Sequence, residues 1–220
     1  MEKSIQYKDA LKKSGLKMLN LCENQLTNAY QSFSTFDTDL AEEVMHKENR
    51  VNALDIKIEE ECEQYLALYK PVARDLRFIM AIRNINSDLE RIGDHAYSIA
   101  RNVTIKNTPV DSKLMEILQI EKMFSAVMEM TQFVSEGFVN KNSKIARKVF
   151  KKDKIVDVIN TNSYTIIAEE VTKNPKLIED ALVLFSIIHK LERVGDLIKN
   201  IAEKIIFYLD AEIIMHKKIK

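Results

Sequence analysis

The 220-residue chain predicts an all-α protein made of two tandem, similar three-helix bundles. Three observations carry that prediction: scarce turn-forming residues, apolar residues spaced for long helices, and an internal duplication. With 4 glycines and 3 prolines, the chain lacks the closely spaced turns that a β-sandwich or barrel needs. At 46% hydrophobic residues, it has enough apolar material for a core, unlike a disordered chain.

The first helix is read at about 3–34. Asp37, Thr38 and Asp39 then offer N-cap oxygens ahead of the apolar series Leu40, Val44, Val51, Leu54 and Ile58, which places a second helix at about 38–69. Pro71 ends it and suits the first turn of a third, at about 72–105. Residues 107–111 form the clearest linker, followed by a fourth helix at about 111–138. Capping side chains between Asn140 and Ser143, and the pair Asn174 and Pro175, open the last two, at about 143–173 and 176–210. Helices of this length joined by short turns pack antiparallel, giving two bundles rather than an open array.

The duplication is direct. Leu89, Glu90, Arg91, Ile92, Gly93 and Asp94 recur as Leu191, Glu192, Arg193, Val194, Gly195 and Asp196. Upstream, Phe33, Asp37, Ala41, Val44, Glu48 and Asn52 correspond to Phe138, Asn142, Ala146, Val149, Asp153 and Asp157. The expected domains are 1–106 and 107–220. Gly93 and Gly195 sit at one matched place inside helices, where glycine costs about 1 kcal/mol relative to alanine; close approach of a neighbouring helix explains their retention.

Charge and cysteine content narrow the function classes. Lys and Arg total 33, as do Asp and Glu, so no basic excess points to nucleic acid. The densest basic run, Lys148, Lys151, Lys152 and Lys154, reads first as a solvated helix face. Cys22 and Cys62 form no metal or redox motif and read as small core residues, consistent with a reducing compartment. Residues 1–10 do not begin a signal peptide, and the longest apolar run, 181–188, is too short to span a bilayer. A cytoplasmic location is expected.

The repeated acids are the candidate site. On the third helix, Leu89, Ile92, Ala96, Ile99 and Val103 form the core stripe, and Glu90 and Asp94 lie one residue beyond stripe members, about 100° round the axis. Being four apart, they share one side of the helix. Glu48, Asn52, Asp55 and Glu59 form a second column on the preceding helix. Glu192 and Asp196, with Asp153 and Asp157, repeat the construction. Like charges at this spacing repel, so a positive partner is expected. Either arginines supply it, from Arg50, Arg77, Arg83, Arg91, Arg101 and Arg193, or a metal ion does. Carboxylate oxygens suit divalent cations or iron.

LERIGDH at residues 89–95, RDLR at 74–77 and LERVGD at 191–196 together resemble the PhoU family, the phosphate-uptake regulators that accompany bacterial phosphate ABC transporters. The resemblance spans essentially the whole chain and implies two three-helix bundles bearing multinuclear iron or zinc clusters. Carried over, the ligands are Glu48, Glu90 and Asp94 in the first half, and Asp153, Asp157, Glu192 and Asp196 in the second. Mg, Mn or Ca suit the same oxygens. Asn52 replaces the family's frequent Asp, which weakens the first site or changes what fills it. His95 matches the family's GDH, but Leu197 follows the second motif, so His95 is not a repeated ligand. The implied role is negative regulation, with the transporter's ATPase subunit and a sensor histidine kinase as partners. A homodimer is implied too, and membrane association only through partners.

Two other classes compete. A ferritin-like di-metal oxidase needs two E-x-x-H motifs within a four-helix core; this chain has one, Glu43 to His46. A metal-free helical adaptor needs arginines to neutralise the acids. Hydrolases and transferases lack support, because no Gly-rich phosphate loop, G-x-S-x-G or Cys/His pair occurs. His189 reads as a surface residue or accessory ligand, His216 as part of a basic tail. Met115, Met123, Met128 and Met130 read as core fillers, and Asp75 as a first-turn charge or part of a partner surface.

Overall fold

A computed structural model describes residues 2–106 and 108–214; His216 and Asn107 lie outside the described residues. Eight α-helices and one 3₁₀ turn are found among the described residues, with no strand. In order they are α1 (Glu2–Thr35), α2 (Thr38–Tyr69), α3 (Ala73–Ile105), α4 (Ser112–Ile117), α5 (Ile120–Val139), α6 (Ser143–Ala146), α7 (Lys148–Lys173), a 3₁₀ turn (Pro175–Leu177) and α8 (Ile178–Asp210). The first three pack on one another, and α5, α6, α7 and α8 form the second group. The two groups meet chiefly along α3 and α8, and the buried apolar side chains form one continuous core.

Caps set the helix starts. Asp37 accepts from the Leu40 backbone N–H at 2.9 Å, and Asp111 from that of Leu114 at 2.7 Å. Asn142 accepts from Lys144 and Asn174 from Lys176. The duplication persists in the backbone. Phe36 (φ 54°) and Lys141 (φ 51°) occupy matched left-handed positions. Each lies beneath a turn-closing bond, from Asp37 N–H to Ser32 C=O and from Asn142 N–H to Gly137 C=O, both 2.9 Å. These bonds satisfy carbonyls the ending helix leaves free.

The long fourth and fifth helices expected from periodicity are each divided. Gln119 takes φ 54° and ends the short α4. That break lets Leu118 and Ile120 both turn inward, at 1% and 0% exposure; on an unbroken helix, residues two apart point to different sides. At Arg147 the backbone stays right-handed helical (φ −62°, ψ −20°), so α6 and α7 differ in hydrogen bonding more than in direction. No helix among the described residues is long and apolar enough to cross a membrane.

Several structural readings hold. Cys22 and Cys62 are buried, unpaired thiols, and Cys22 Sγ donates to the Leu89 carbonyl at 3.1 Å. Met123 and Met130 are fully buried, while Met115 and Met128 pack against the core. Asp75 lies in the first turn of α3 and pairs with Lys8 of α1 at 2.7 Å. Within the basic run, Lys152 pairs with Glu129 at 2.6 Å and Lys148 lies over the Phe133 ring.

Candidate functional site

In the first bundle, α2 and α3 bring Glu48 and Asn52 beside Glu90 and Asp94. The helices lie this close because α3 presents glycine: a Cβ on Gly93 would stand 3.0 Å from Val51 Cγ1. The Glu48 carboxyl accepts from the Asn52 amide and lies against Asp94. Two carboxylates this close disfavour each other's charge. Burial first, and then Asp94, pushes the Glu48 carboxyl above its ordinary range. Glu90 is also raised, first by burial, then by the charges of Asp94, Asp55 and Glu48, against the opposing effect of Arg91. Asp55 therefore belongs to the same negative field, held by Asn86, whose side-chain amide donates to it at 2.6 Å.

Among the described residues, no Lys or Arg lies within ion-pair distance of Glu48, Glu90 or Asp94. Arg83 pairs with Glu59, a member of the acidic column on α2, at 2.8 Å. Of the two positive partners the sequence leaves open, an arginine ion pair therefore reaches Glu59 but none of Glu48, Glu90 and Asp94. Instead, burial and mutual repulsion make Glu48 and Glu90 harder to ionise, the response expected of crowded carboxylates without a counter-ion.

The second bundle places Asp153 and Asp157 on α7 beside Glu192 and Asp196 on α8, but the cluster contains its own cation. Lys199 Nζ lies 2.8 Å from Asp153 Oδ2 and 2.7 Å from Asp196 Oδ1. Arg193 adds longer approaches, 3.6 Å to Glu192 and 3.8 Å to Asp196. Burial would lower the Lys199 pKa, yet hydrogen bonds and charges from both aspartates carry it above its ordinary value. Burial raises Asp153, against the pull of Lys199. Glu192 is raised by burial, then by the charge of Asp196.

All seven acids thus gather in two clusters, one per bundle. Among the described residues, no three His, Cys, Asp or Glu side chains form a group already arranged to hold an ion; the acids meet in pairs. In donor chemistry the first cluster fits a hard cation, because a divalent ion would supply the positive charge that no ion-paired Lys or Arg among the described residues brings to Glu48, Glu90 and Asp94. The second does not fit in the same way, since an ammonium group bridges it. Sequence reasoning missed Lys199, although it stands three residues beyond Asp196 and faces the same side. Its counterpart in the first repeat is Tyr97.

Among the described histidines none makes an ion pair with either cluster, although His95 directly follows Asp94 and feels its charge. His46 and His189 are exposed, and His189 packs edge-on against Phe185. His95 is half-buried, and burial followed by the charge of Arg91 lowers its pKa. It lines a cavity of about 450 Å³ at the α3–α8 junction with Arg91, Arg193 and two members of the second cluster, Asp196 and Lys199.

A duplicated all-helical fold with one acid cluster per repeat defines a class of tandem-bundle proteins, and comparison with known proteins specifies it. The PhoU domain model matches twice, at residues 16–103 and 120–205. The phosphate-specific transport system accessory protein PhoU homolog of Aquifex aeolicus is 33% identical over 210 residues, covering 95% of this chain and 94% of that protein. Homolog 1 of Thermotoga maritima is 30% identical over 197 residues, covering 90% and 84%. The crystal structure of PhoU from Pseudomonas aeruginosa aligns with TM-score 0.85 at 28% identity, covering 94% of this chain and 99% of that one. The chain belongs to the PhoU family.

Proposed function

We propose that this protein is an accessory regulator of a phosphate transport system, acting by binding rather than catalysis. The observation that carries the reading is the double match of the PhoU domain over both repeats; curated relatives are named phosphate-specific transport system accessory proteins. In this reading the protein lowers uptake and phosphate-starvation signalling when phosphate is plentiful. It does so at the cytoplasmic face, by linking the transporter's ATPase subunit to a sensor histidine kinase, and it works as a homodimer.

The first acid cluster is the proposed metal site, with Glu48, Glu90 and Asp94 as carboxylate ligands and the Asn52 amide oxygen beside them. Iron or zinc is favoured by the family, and Mg, Mn or Ca by the hardness of the donors. A bound cation would neutralise the cluster and tie α2 to α3. Glu90 and Asp94 supply one helix's share of the grip and Glu48 the other's, while Asn52 orients Glu48 through their hydrogen bond.

The test is affinity capture of the protein from its own host, grown with ample and with scarce phosphate. Recovery of a phosphate-transporter ATPase in the ample condition is expected, and recovery of neither ATPase nor kinase in either condition overturns the adaptor role. For the metal, untagged protein is analysed for iron and zinc. Asp94→Asn with Glu90→Gln should abolish first-cluster loading, and unchanged metal content would remove these residues from the site.

A further inference from the structure

The two repeats solve one electrostatic problem in two ways. In both, acids from two adjacent helices converge. In the second, a single ammonium group bridges the helices, meeting Asp153 of α7 at 2.8 Å and Asp196 of α8 at 2.7 Å. Those distances are charge-assisted hydrogen bonds to two carboxylates at once. The pairing is sheltered: the Asp153 side chain is 9% exposed and that of Lys199 26%. A cation bridging these helices would compete for oxygens that Lys199 already holds. In the first repeat the matched residue, Tyr97, carries no charge. It lies instead with Glu42, Met45, His46 and Thr104 around an open hollow of about 350 Å³.

We infer that Lys199 is a tethered counter-ion that takes the place of a metal in the second bundle, so this chain loads metal in its first bundle only. The inference rests on the metal reading of the first cluster for its contrast, but the role of Lys199 can be tested separately. The wider consequence is an asymmetric molecule. One acid cluster is open to respond to cation supply, while its copy is closed and serves as a permanent structural clasp.

The experiment measures zinc and iron uptake, and melting with and without added zinc or chelator, in full-length variants. Glu90→Gln with Asp94→Asn should lose the metal that the unaltered protein binds. Adding Lys199→Met in that background should restore uptake, now through the second cluster. Without metal, Lys199→Met should lower Tm by about 3–6 °C, the scale expected for uncovering a partly buried carboxylate pair in a domain of this size, and zinc should recover most of that loss. Lys199→Arg should keep the Tm without gaining metal.

In the unaltered protein, Lys199 should be methylated more slowly than exposed Lys151 under reductive methylation, at a rate zinc does not change. This measurement stands even if Lys199→Met fails to fold. The inference is overturned if Glu90→Gln with Asp94→Asn still binds metal that Asp196→Asn then removes, or if zinc accelerates methylation of Lys199. It is also overturned if Lys199→Met folds with unchanged stability and no metal. An unaltered protein that loads no metal, combined with a Lys199→Met that does, refutes the first-site reading and leaves the tethered lysine standing.

Discussion

At the scale of single residues, the matched glycines show how far a repeat extends. Both stand at the same place in their motifs, but their surroundings differ. A Cβ on Gly93 would come within 3.0 Å of Val51 Cγ1, and Val51 is fully buried and β-branched, with little room to yield. On Gly195 the nearest atoms would be Asp153 Oδ1 at 3.4 Å and Val156 Cγ1 at 3.5 Å, which is ordinary contact. Gly93→Ala should therefore destabilise by about 1–3 kcal/mol through overpacking. Gly195→Ala should be neutral or gain up to about 1 kcal/mol of helix propensity. Urea denaturation of the two variants provides the check, and equal effects would contradict this picture of the interfaces. The sequence suffices to place both glycines at helix contacts. It does not separate a backbone pressed on valine from one facing a carboxylate, because that depends on the neighbouring helix. Lys199 was hidden for the same reason: its spacing from Asp196 can be read along the chain, but its reach to Asp153 requires knowing how α7 lies against α8.

At the scale of elements, periodicity and capping place α1, α2 and α3 within about a residue or two, since each is one amphipathic run bounded by strong stop signals. The divided fourth helix was not legible, because its break falls at Gln119, a residue with no turn preference. Adjacent apolar residues 117, 118 and 120 were the only sign that one helical face could not bury them all. The contact between α3 and α8 also has a consequence beyond the repeat pattern. Asp88 of α3 is pushed up to about 6, first by burial, although Arg91, Lys204 and a hydrogen bond with Asn200 all oppose the shift. Its carboxyl is therefore harder to ionise in the fold than in the unfolded chain. Such a group contributes stability that is full below the unfolded value near 3.8 and is lost as pH rises through about 6. Asp88→Asn keeps a polar group against Asn200 without that loss. The variant should match the unaltered protein near pH 4 and exceed it in denaturant midpoint at pH 7. A lower midpoint at pH 7 would mean that the attraction to Arg91 and Lys204 outweighs burial.

At the scale of the whole molecule, duplication could have produced two bundles that fold independently, but burial indicates otherwise. Thirteen of 33 residues are buried in α3 and 14 of 33 in α8, against 7 of 32 in α2 and 5 of 26 in α7. α3 and α8 bury more than α2 and α7 because each serves its own bundle and the other's partner helix at once; α5, with 9 of 20 buried, likewise meets α1 of the other group as well as α7 and α8. Phe78 of α3 packs against Tyr208 of α8 with ring centroids 5.2 Å apart. Tyr30 of α1 stacks on Phe124 of α5 at 4.0 Å, and Lys106 pairs with Asp180 at 2.7 Å with both side chains largely covered. Separating the halves would expose the apolar edges of α3 and α8 together, so neither half has a complete core alone. The expected behaviour is one cooperative unfolding transition, seen alike by far-UV circular dichroism and tyrosine fluorescence. Phe78→Ala, at a site 7% exposed, should cost about 3 kcal/mol, and the cost should spread beyond its own bundle. Hydrogen exchange should accelerate in the buried amides of α5 and α7 as well as those of α1 and α2. Acceleration confined to residues 2–106 would show that the halves unfold separately. In that case a cation bound at Glu48, Glu90 and Asp94 could not stabilise the second bundle through the α3–α8 junction.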